Sequence, residues 1–365
     1  MKLEIIKNRL KEAVMIAERA TGKNLSLPIL KSILLEVKKN SLIIKATNLD
    51  IGLEIEIPAK ISTEGEVAVN AMVLNGLLNN LPKEEKVIIE SQKDNLNIST
   101  PSSSTLIKSF PIDDFPVIPK IDDHNQYIFE NIDIISGLKS VYYAASVSDI
   151  KPEIASVYIY QDGKELVFVA TDSFRLAEKR ISTNSKDFQP VIIPLKNIIE
   201  IIRTLENYNG ELIIKTNKNQ ASFITDSIYL TSRVIDSNFP DYRQIIPKSF
   251  KTEVLVYSSE LMNALKLSNI FSDKFNQINI LLSPSSGILK INSQNQDVGE
   301  NTISLPAQIT GEEMEMSFNA KYILDCFQSI DSDRIIMKLN EKNRPLLISG
   351  NNDQSFNYLI MPINR

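Results

Sequence analysis

Internal repetition at an interval of 124 residues is the feature of this sequence that most constrains its fold. Three pairs of similar segments share that interval: Ala46-Thr47 and Ala170-Thr171, Phe115-Pro116 and Phe239-Pro240, and Asn70 and Pro194, each of the last two leading into an apolar run. Three markers at one spacing are typical of a duplicated structural unit. The first two thirds of the chain are therefore predicted to be two copies of one domain.

The last third of the chain carries the same plan with small shifts in spacing. Asn319 again precedes an apolar run, 249 residues after Asn70. Gly299 follows a strand-like segment, 247 residues after Gly52. We therefore predict three similar domains, at residues 1–122, 127–248 and 250–365.

Each domain is predicted to contain two modules of one strand, one helix and three strands. In the first module a strand at Lys2–Ile6 precedes a helix at Asn8–Ala20. The apolar face of that helix follows from the spacing of Leu10, Ala13, Val14 and Ala17. Helices that alternate with three-strand runs favour an α+β fold of antiparallel sheets with helices on one face. Six such modules would form a curved array, and a second copy would pair its free sheet edges.

Composition and charge exclude several classes of protein. The net charge of −5 argues against a protein that attracts nucleic acid over its whole surface. No apolar run approaches the roughly 20 residues of a membrane span. Cys326 is the only cysteine and His124 the only histidine, so we expect neither a disulfide nor a histidine-based catalytic site. With no secretory signal or glycine-rich phosphate loop in the sequence, we expect a cytoplasmic protein without metal or cofactor.

Five segments, in their order and spacing, resemble the bacterial DNA polymerase III beta subunit family, the sliding clamps. They are Leu27-Pro28-Ile29-Leu30, Ala170-Thr171-Asp172 with Arg175-Leu176, Phe239-Pro240-Asp241-Tyr242-Arg243, Phe318-Asn319 with Tyr322, and Tyr358-Leu359-Ile360-Met361-Pro362-Ile363. The resemblance spans essentially the whole chain. It implies a head-to-tail homodimer that closes into a ring of six domains around duplex DNA. Such a ring tethers the replicative polymerase and performs no catalysis of its own.

The resemblance also implies a partner pocket between the second and third domains. It would receive short linear motifs of the DNA polymerase III catalytic subunit, the clamp loader, translesion polymerases and repair proteins. Its wall would comprise Ile154, Thr171, Arg175, Leu176, Pro240, Ile245, Asn319, Tyr322, Leu346, Met361, Pro362 and Ile363. Apolar side chains there suit apolar anchors, and methionine adapts to several partners. Thr171, Arg175 and Asn319 would orient a peptide.

Two further surfaces are predicted. Basic residues on helices, among them Lys196 and Arg203, are candidates to face DNA, and the resemblance adds the loop residues Lys23, Asn24 and Lys151. Ordinary solvated helix faces are the alternative for each of them. The resemblance places ring closure between a strand with Thr105, Leu106 and Ile107 and the region of Ile270 and Phe271 in another copy. The alternative is that Ile270 and Phe271 belong to the core of their own domain.

The chain departs from the family pattern at five places. Pro152-Glu153 stands where some relatives carry two tyrosines, and Met72 where some carry arginine. Ser173-Phe174 replaces a frequent Gly-His, Gln244 a frequent arginine, and the chain ends in Asn364-Arg365 rather than an apolar residue. The first two departures weaken the expectation of direct DNA contacts. The others are expected to alter peptide preference without changing the fold.

Two other classes of function remain open from the sequence. A two-metal nuclease needs carboxylates that converge on metals about 4 Å apart. Asp50, Asp172 and Asp297 each follow a predicted strand, but they lie in three different predicted domains. A protein scaffold without a DNA-encircling role is the other class, and retention on circular but not linear DNA separates it from a clamp.

Overall fold

A computed structural model describes residues 1–22, 27–81, 85–92, 95–121, 125–185, 187–341 and 343–363. Within these ranges the chain forms six α-helices and 27 β-strands. Lys23, Asn24, His124, Asn364 and Arg365 lie outside the described residues.

The first third of the chain confirms the predicted order of strand, helix and three strands, twice over. Its elements are β1 (Lys2–Ile6), α1 (Lys7–Arg19), β2 (Ser32–Lys38), β3 (Ser41–Thr47), β4 (Ile51–Pro58), β5 (Lys60–Thr63), β6 (Gly65–Asn70), α2 (Ala71–Asn80), β7 (Lys86–Gln92), β8 (Asn95–Thr100), β9 (Ser103–Ile107) and β10 (Ser109–Phe110). The short strand β5 was not predicted, and the run predicted as one strand at Ser104–Phe110 is two, β9 and β10.

The other two thirds repeat this order. The second contains β11 (Gln126–Glu130), α3 (Asn131–Val141), β12 (Ser156–Asp162), β13 (Glu165–Thr171), β14 (Arg175–Ser182), β15 (Val191–Pro194), α4 (Leu195–Leu205), β16 (Glu211–Thr216), β17 (Gln220–Ile224) and β18 (Ile228–Arg233). The third contains β19 (Thr252–Tyr257), α5 (Ser258–Ile270), β20 (Gln277–Ser283), β21 (Ile288–Asn295), β22 (Gly299–Pro306), β23 (Gln308–Gly311), β24 (Met314–Asn319), α6 (Ala320–Cys326), β25 (Arg334–Leu339), β26 (Leu346–Gly350) and β27 (Phe356–Ile360).

The chain divides into two compact units. Unit 1 comprises Met1–Ile132 and Ile199–Val234, and unit 2 comprises Asp133–Ile198 and Ile235–Arg365. Unit 1 contains a five-stranded sheet, β5-β1-β7-β8-β9, and a nine-stranded sheet, β10-β6-β2-β3-β4-β18-β17-β16-β11. Unit 2 contains a nine-stranded sheet, β15-β12-β13-β14-β27-β26-β25-β19-β23, and a four-stranded sheet, β22-β21-β20-β24.

Each nine-stranded sheet joins strands from two successive repeats. In unit 1, β4 pairs with β18, and Leu53 lies opposite Leu230. In unit 2, β14 pairs with β27, and Ala177 lies opposite Tyr358. We call these pairings the first junction and the second junction; both are antiparallel. The α+β class of antiparallel sheets is therefore confirmed, and the limits of the three predicted domains stay a prediction.

Helix α1 follows the predicted apolar spacing, and two other helices have matching caps. The buried residues of α1 are the predicted ones: Leu10, Ala13, Val14 and Ala17. Asparagine caps two helices at equivalent repeat positions, since Asn70 Oδ1 accepts the N–H of Val73 at 3.0 Å and Asn319 Oδ1 accepts that of Lys321 at 2.9 Å. Such a side-chain acceptor satisfies one of the amide groups that the first helical turn leaves unpaired.

The repeated Phe-Pro segment packs against a sheet in both units. In unit 1, Phe115 packs with Phe110 and Ile112 on a buried cluster that includes Leu34 and Ala68. In unit 2, Phe239, Tyr242, Ile246 and Phe250 pack on a cluster formed by Tyr160, Val167, Val169, Leu176, Leu347 and Leu359. The marker recurs in the sequence because each copy covers apolar sheet surface that would otherwise face water.

A chain of hydrogen bonds fixes the second Phe-Pro segment to unit 2. The hydroxyls of Tyr160 and Tyr242 are 2.7 Å apart, and the Tyr242 hydroxyl donates to the Glu178 carboxylate. Arg243 donates to the Tyr160 hydroxyl at 2.8 Å, and Arg180 donates to Glu178 at 2.9 Å. Burial and then the Glu178 charge raise the pKa of Tyr242, so its hydroxyl remains a donor at neutral pH. The buried Glu178 carboxylate is thereby held by two donors.

Removal of one hydroxyl from this chain is expected to destabilise the protein. Tyr242→Phe leaves Glu178 and Tyr160 short of a partner in a buried site, which costs about 1–3 kcal/mol. Tyr158→Phe is the matched control, because Tyr158 stacks on Tyr160 and Phe239 through its ring alone. Urea denaturation should show a lower midpoint for Tyr242→Phe than for Tyr158→Phe, and equal midpoints would contradict this account.

Candidate functional site

One part of the candidate site is a tight turn between β13 and β14. Thr171 Oγ1 donates to the Arg175 carbonyl at 2.7 Å, and the Asp172 carboxylate accepts the N–H groups of Phe174 and Arg175, both at 2.9 Å. Ser173 has a positive φ of 76°, which the turn requires. Local hydrogen bonds therefore fix the backbone of Phe174, while its side chain is 61% exposed.

Arg175 connects this turn to the helix α6. Its guanidinium pairs with Asp172 at 3.0 Å and with Asp325, and lies 4.4 Å from the ring centroid of Tyr322. Burial by itself would lower the pKa of Arg175, but Tyr358 and the two carboxylates raise it, so the side chain stays charged. Only 12% of the Arg175 side chain is exposed, so its ion pairs and its contact with the Tyr322 ring link the turn to α6 beneath the surface of the site.

The C-terminal segment Met361–Ile363 is held between two neighbouring elements. The Met361 N–H donates to the Phe174 carbonyl at 2.8 Å, and the Ile363 N–H donates to the Ser317 carbonyl, also at 2.8 Å. Beside it, Asn319 caps α6, and the Ala320 N–H donates to the Asn276 carbonyl at 2.8 Å.

These elements surround a cavity of about 560 Å³, which we call the C-terminal cavity. Five of the residues predicted for the partner pocket line it: Asn319, Tyr322, Met361, Pro362 and Ile363. Four others line it that the prediction did not include: Phe174, Lys274, Phe275 and Asn276. In the sequence, Phe174 stands out only as a departure from the family pattern. The other three follow α5, and an aromatic residue within a polar loop was the only sequence signal for them.

Arg175 is partly buried between the turn and α6, and the other six predicted pocket residues fall into two groups. Ile154, Thr171, Leu176 and Leu346 are buried. Leu176 belongs to the core cluster beneath the sheet, so it supports the site from below. Pro240 and Ile245 are exposed. Their role as peptide contacts stays a prediction.

The residues predicted to face DNA are exposed where they are described. Lys151, Lys196 and Arg203 all have exposed side chains, and Arg203 pairs with Glu200 at 3.0 Å. Lys23 and Asn24 lie outside the described residues. Met72, which stands where some relatives carry arginine, is 72% exposed, and α2 contains no charged residue.

The residues predicted for ring closure differ in exposure. Leu106 and Ile270 are 58% and 63% exposed, so both apolar side chains face solvent in a single copy. Thr105 and Phe271 are partly buried. Ile107 is only 6% exposed, so its side chain faces the core of its own unit.

Other site types have little support in the part of the chain that the structure describes. There, no group of three or more His, Cys, Asp or Glu side chains could hold a metal ion. No helix within the described ranges is long and apolar enough to cross a membrane. Burial raises the pKa of the Cys326 thiol, which is fully enclosed and therefore unreactive at neutral pH.

The sequence matches three domain models of one family. These describe the N-terminal, central and C-terminal domains of the DNA polymerase III beta subunit, and they match residues 1–119, 132–241 and 243–364. Beta sliding clamps of Synechococcus elongatus and Bacillus subtilis are each 27% identical to this chain, and each match covers 100% of this chain and 99% of the relative.

Solved structures give the same result. The DNA polymerase III beta subunit of Thermotoga maritima is similar with a TM-score of 0.93 and 27% identity, and the DNA polymerase sliding clamp of Bacillus subtilis with a TM-score of 0.95 and 26% identity. Each match covers 100% of this chain and 99% of the solved one. The chain therefore belongs to the DNA polymerase III beta subunit family, the DNA sliding clamps of replication, which are accessory factors rather than catalytic subunits.

Proposed function

We propose that two copies of this chain join head to tail into a ring that encloses duplex DNA. The observation that carries this proposal is a pair of edge strands that correspond to the strands paired at the first and second junctions. β22 follows β21 as β4 follows β3, and it is the edge strand of its four-stranded sheet. β9 follows β8 as β18 follows β17, and it is the edge strand of its five-stranded sheet. Pairing β22 of one copy with β9 of another repeats the first and second junctions and removes two open sheet edges.

The two existing junctions predict the register of the third. Two facing pairs occupy equivalent repeat positions: Gly52 and Thr231 at the first junction, and Leu176 and Leu359 at the second. Glu300 faces Gln294 on β21 as Gly52 faces Thr47 on β3 and Leu176 faces Thr171 on β13. Leu106 faces Asn97 on β8 as Thr231 faces Ser222 on β17 and Leu359 faces Leu347 on β26. By these registers Glu300 is the counterpart of the first member of each pair, and Leu106 is the counterpart of the second. Both precedents therefore predict that Leu106 lies opposite Glu300 of the other copy.

The exposure of the two strands agrees with this register. Leu106 and Glu300 are both exposed, whereas the next facing pair, Thr105 and Asn301, is half-buried on both strands. A shift of the register by one residue would place exposed residues opposite half-buried ones. The side chains of one strand would then face the wrong side of the sheet. Ile270 at the end of α5 adds an exposed apolar side chain near this edge, and its burial would favour association.

Enclosure, more than adhesion, would keep such a ring on DNA. Each direct phosphate contact makes binding steeper in salt and slows movement along the duplex. This chain has a net charge of −5, and Arg203, one of its candidate DNA-facing residues, is already paired with Glu200. A protein of this charge can slide freely while topology prevents its escape. We infer a cytoplasmic location, where the bacterial chromosome lies.

We also propose that the C-terminal cavity binds short linear segments of partner proteins. The DNA polymerase III catalytic subunit, the clamp loader, translesion polymerases and repair proteins are the expected partners. The support is an apolar opening between elements held by backbone hydrogen bonds, with Met361 at 36% exposure in its wall. A preformed cavity loses little conformational freedom when a peptide enters it.

Cysteine cross-linking is expected to confirm the register. Facing residues of antiparallel strands have Cα atoms about 4.5–5.5 Å apart, within the range of about 4.4–6.8 Å for disulfides. Leu106→Cys combined with Glu300→Cys should therefore form an intermolecular disulfide under mild oxidation, seen as a dimer on a non-reducing gel. The native Cys326 is buried and adds no background.

A matched pair serves as the control for register. Leu106→Cys with Ser304→Cys places the second thiol on the same exposed face of β22, about 13 Å further along the strand. This pair should remain uncrosslinked. Equal cross-linking of both pairs would contradict the predicted register. A dimer in sedimentation with no cross-link in either pair would show that the interface lies elsewhere.

A charge placed in the C-terminal cavity is expected to abolish peptide binding. Met361→Lys buries an ammonium group against apolar anchors and should weaken binding of a clamp-directed peptide at least tenfold by fluorescence polarisation. Lys321→Gln, on the exposed side of α6, is the control and should bind normally. Sedimentation should show an intact dimer for both variants. Unchanged peptide affinity in Met361→Lys would refute this site.

Retention on DNA is expected to depend on DNA topology. A ring loaded on a nicked circular plasmid by its clamp loader should stay bound in high salt during gel filtration, because enclosure needs no phosphate contacts. Cutting the plasmid once should release the ring. Lys196→Glu should change retention on the circle less than about twofold, in keeping with a sliding contact. Similar retention on cut and intact plasmid would favour simple DNA binding or a scaffold.

A further inference from the structure

One face of the four-stranded sheet in unit 2 carries a row of uncharged polar side chains. Asn279 on β20 lies opposite Ser317 on β24 and opposite Asn292 on β21, and Asn292 lies opposite Thr302 on β22. Ile280, the next residue along β20, is 1% exposed, so the polar row lies on the face away from the core. All four side chains of the row line a cavity of about 440 Å³, which we call the sheet-face cavity.

Several oxygen atoms at this cavity are buried without a hydrogen-bond donor. In the part of the chain that the structure describes, Gln277 Oε1, Asn279 Oδ1 and Asn292 Oδ1 are enclosed and accept no hydrogen bond. Ser293, also in the wall, is 5% exposed, and its Oγ has no hydrogen-bond partner among the described residues. Buried oxygens almost always have a partner, because an unpaired one loses its hydration without compensation. Four such atoms at one cavity indicate a ligand.

The orientation of the Asn279 amide is fixed by its other end. Its Nδ2 donates to the Glu315 carboxylate at 2.6 Å. Turning the amide over would place its oxygen against that carboxylate, and two acceptors repel each other. The Asn279 oxygen is therefore the atom that remains unpaired, and it needs either a donor or a cation.

Charge and coordination chemistry favour a cation. The charged residues among those described in the wall are both acidic, Asp273 and Glu300. Carbonyl oxygens of Asn and Gln are ligands of Ca²⁺, which accepts irregular arrangements of oxygens, whereas Mg²⁺ demands an octahedron and retains its waters. Side chains that face each other across antiparallel strands are about 4.5–5.5 Å apart at Cβ, so Asn279 and Asn292 can reach one ion.

We propose that the sheet-face cavity binds a hard metal ion, Ca²⁺ in preference to Mg²⁺, through the side-chain oxygens of Gln277, Asn279 and Asn292. Glu300 supplies negative charge beside them. Because its ligands are amides rather than histidine, cysteine or clustered acids, such a site leaves no metal motif in a sequence. The ion would tie β20 to β21, the strand next to the edge strand β22. Neither the ring nor the peptide site is needed for this binding.

Ion binding is tested on the full-length protein after dialysis against EDTA. Isothermal titration with CaCl₂ should show one ion per chain with a Kd of about 0.1–1 mM, the range expected when few ligands are charged. MgCl₂ should bind about tenfold more weakly or less. Absence of Ca²⁺ binding in this range would overturn the proposal, and equal binding of Mg²⁺ would overturn the choice of ion.

Substitutions at Asn292 should move the affinity in opposite directions. Asn292→Asp adds a charged ligand and should lower the Kd for Ca²⁺ about tenfold. Asn292→Leu removes an oxygen and should abolish the calorimetric signal, as should Gln277→Leu on β20. In EDTA, Asn292→Leu should unfold at no lower temperature than the wild type, because it removes a buried oxygen that has no partner. Gln308→Leu, exposed on β23 and outside the cavity wall, is the matched control and should leave the affinity unchanged.

The variants also show where an ion binds. Ca²⁺ affinity that neither Asn292 variant changes would place the ion elsewhere and overturn the proposal. A lower unfolding temperature of Asn292→Leu in EDTA would show that the protein itself satisfies this oxygen, which would remove the reason for a ligand. Tighter Ca²⁺ binding by Asn292→Asp, with Gln308→Leu unchanged, would support the site even if the leucine variants failed to fold.

Discussion

Antiparallel pairing between strands of successive repeats is the interaction on which the rest of this structure depends. A single repeat ends in open strand edges, which are unstable and prone to wrong association. The first junction joins β4 to β18, and the second joins β14 to β27, so that each nine-stranded sheet crosses from one repeat to the next. Backbone hydrogen bonds provide this connection, and they tolerate divergence of the side chains between repeats.

Local patterns made much of the fold predictable. The spacing of Leu10, Ala13 and Val14 predicted the buried face of α1, and Pro82 marked the end of the second helix, which the structure ends at Asn80. These signals act within a few residues, where propensity and amphipathic period decide. The nine-stranded sheets were not predicted, because their junctions join residues as far apart as Leu53 and Leu230. Pairing at such separation leaves no local trace in a sequence.

For the candidate site, only the family resemblance gave a prediction. Asn319, Tyr322 and Met361, which it implies for a partner pocket, line the C-terminal cavity, and their role as peptide contacts stays a prediction. Lys274 and Phe275 were missed, because they follow α5 in a loop without periodic pattern and approach the cavity only in the folded chain. Leu176 shows a second limit of prediction from sequence. An apolar residue next to a motif can line a pocket or belong to the domain core, and Leu176, at 1% exposure, belongs to the core.

The turn at Thr171–Arg175 has a close counterpart at Thr47–Ile51. Thr47 Oγ1 donates to the Ile51 carbonyl at 2.8 Å, Leu49 has a φ of 76°, and the Arg233 N–H donates to the Asp50 carbonyl at 2.8 Å. Position 50 and position 174 are thus held by the same main-chain bonds, and one carries an acid while the other carries a phenylalanine. The side chain at this position can therefore differ between repeats without disturbing the backbone hydrogen bonds of the turn. If the C-terminal cavity binds partner segments as proposed, a substitution at position 174 would alter its lining while the main-chain bonds of the junction stay in place.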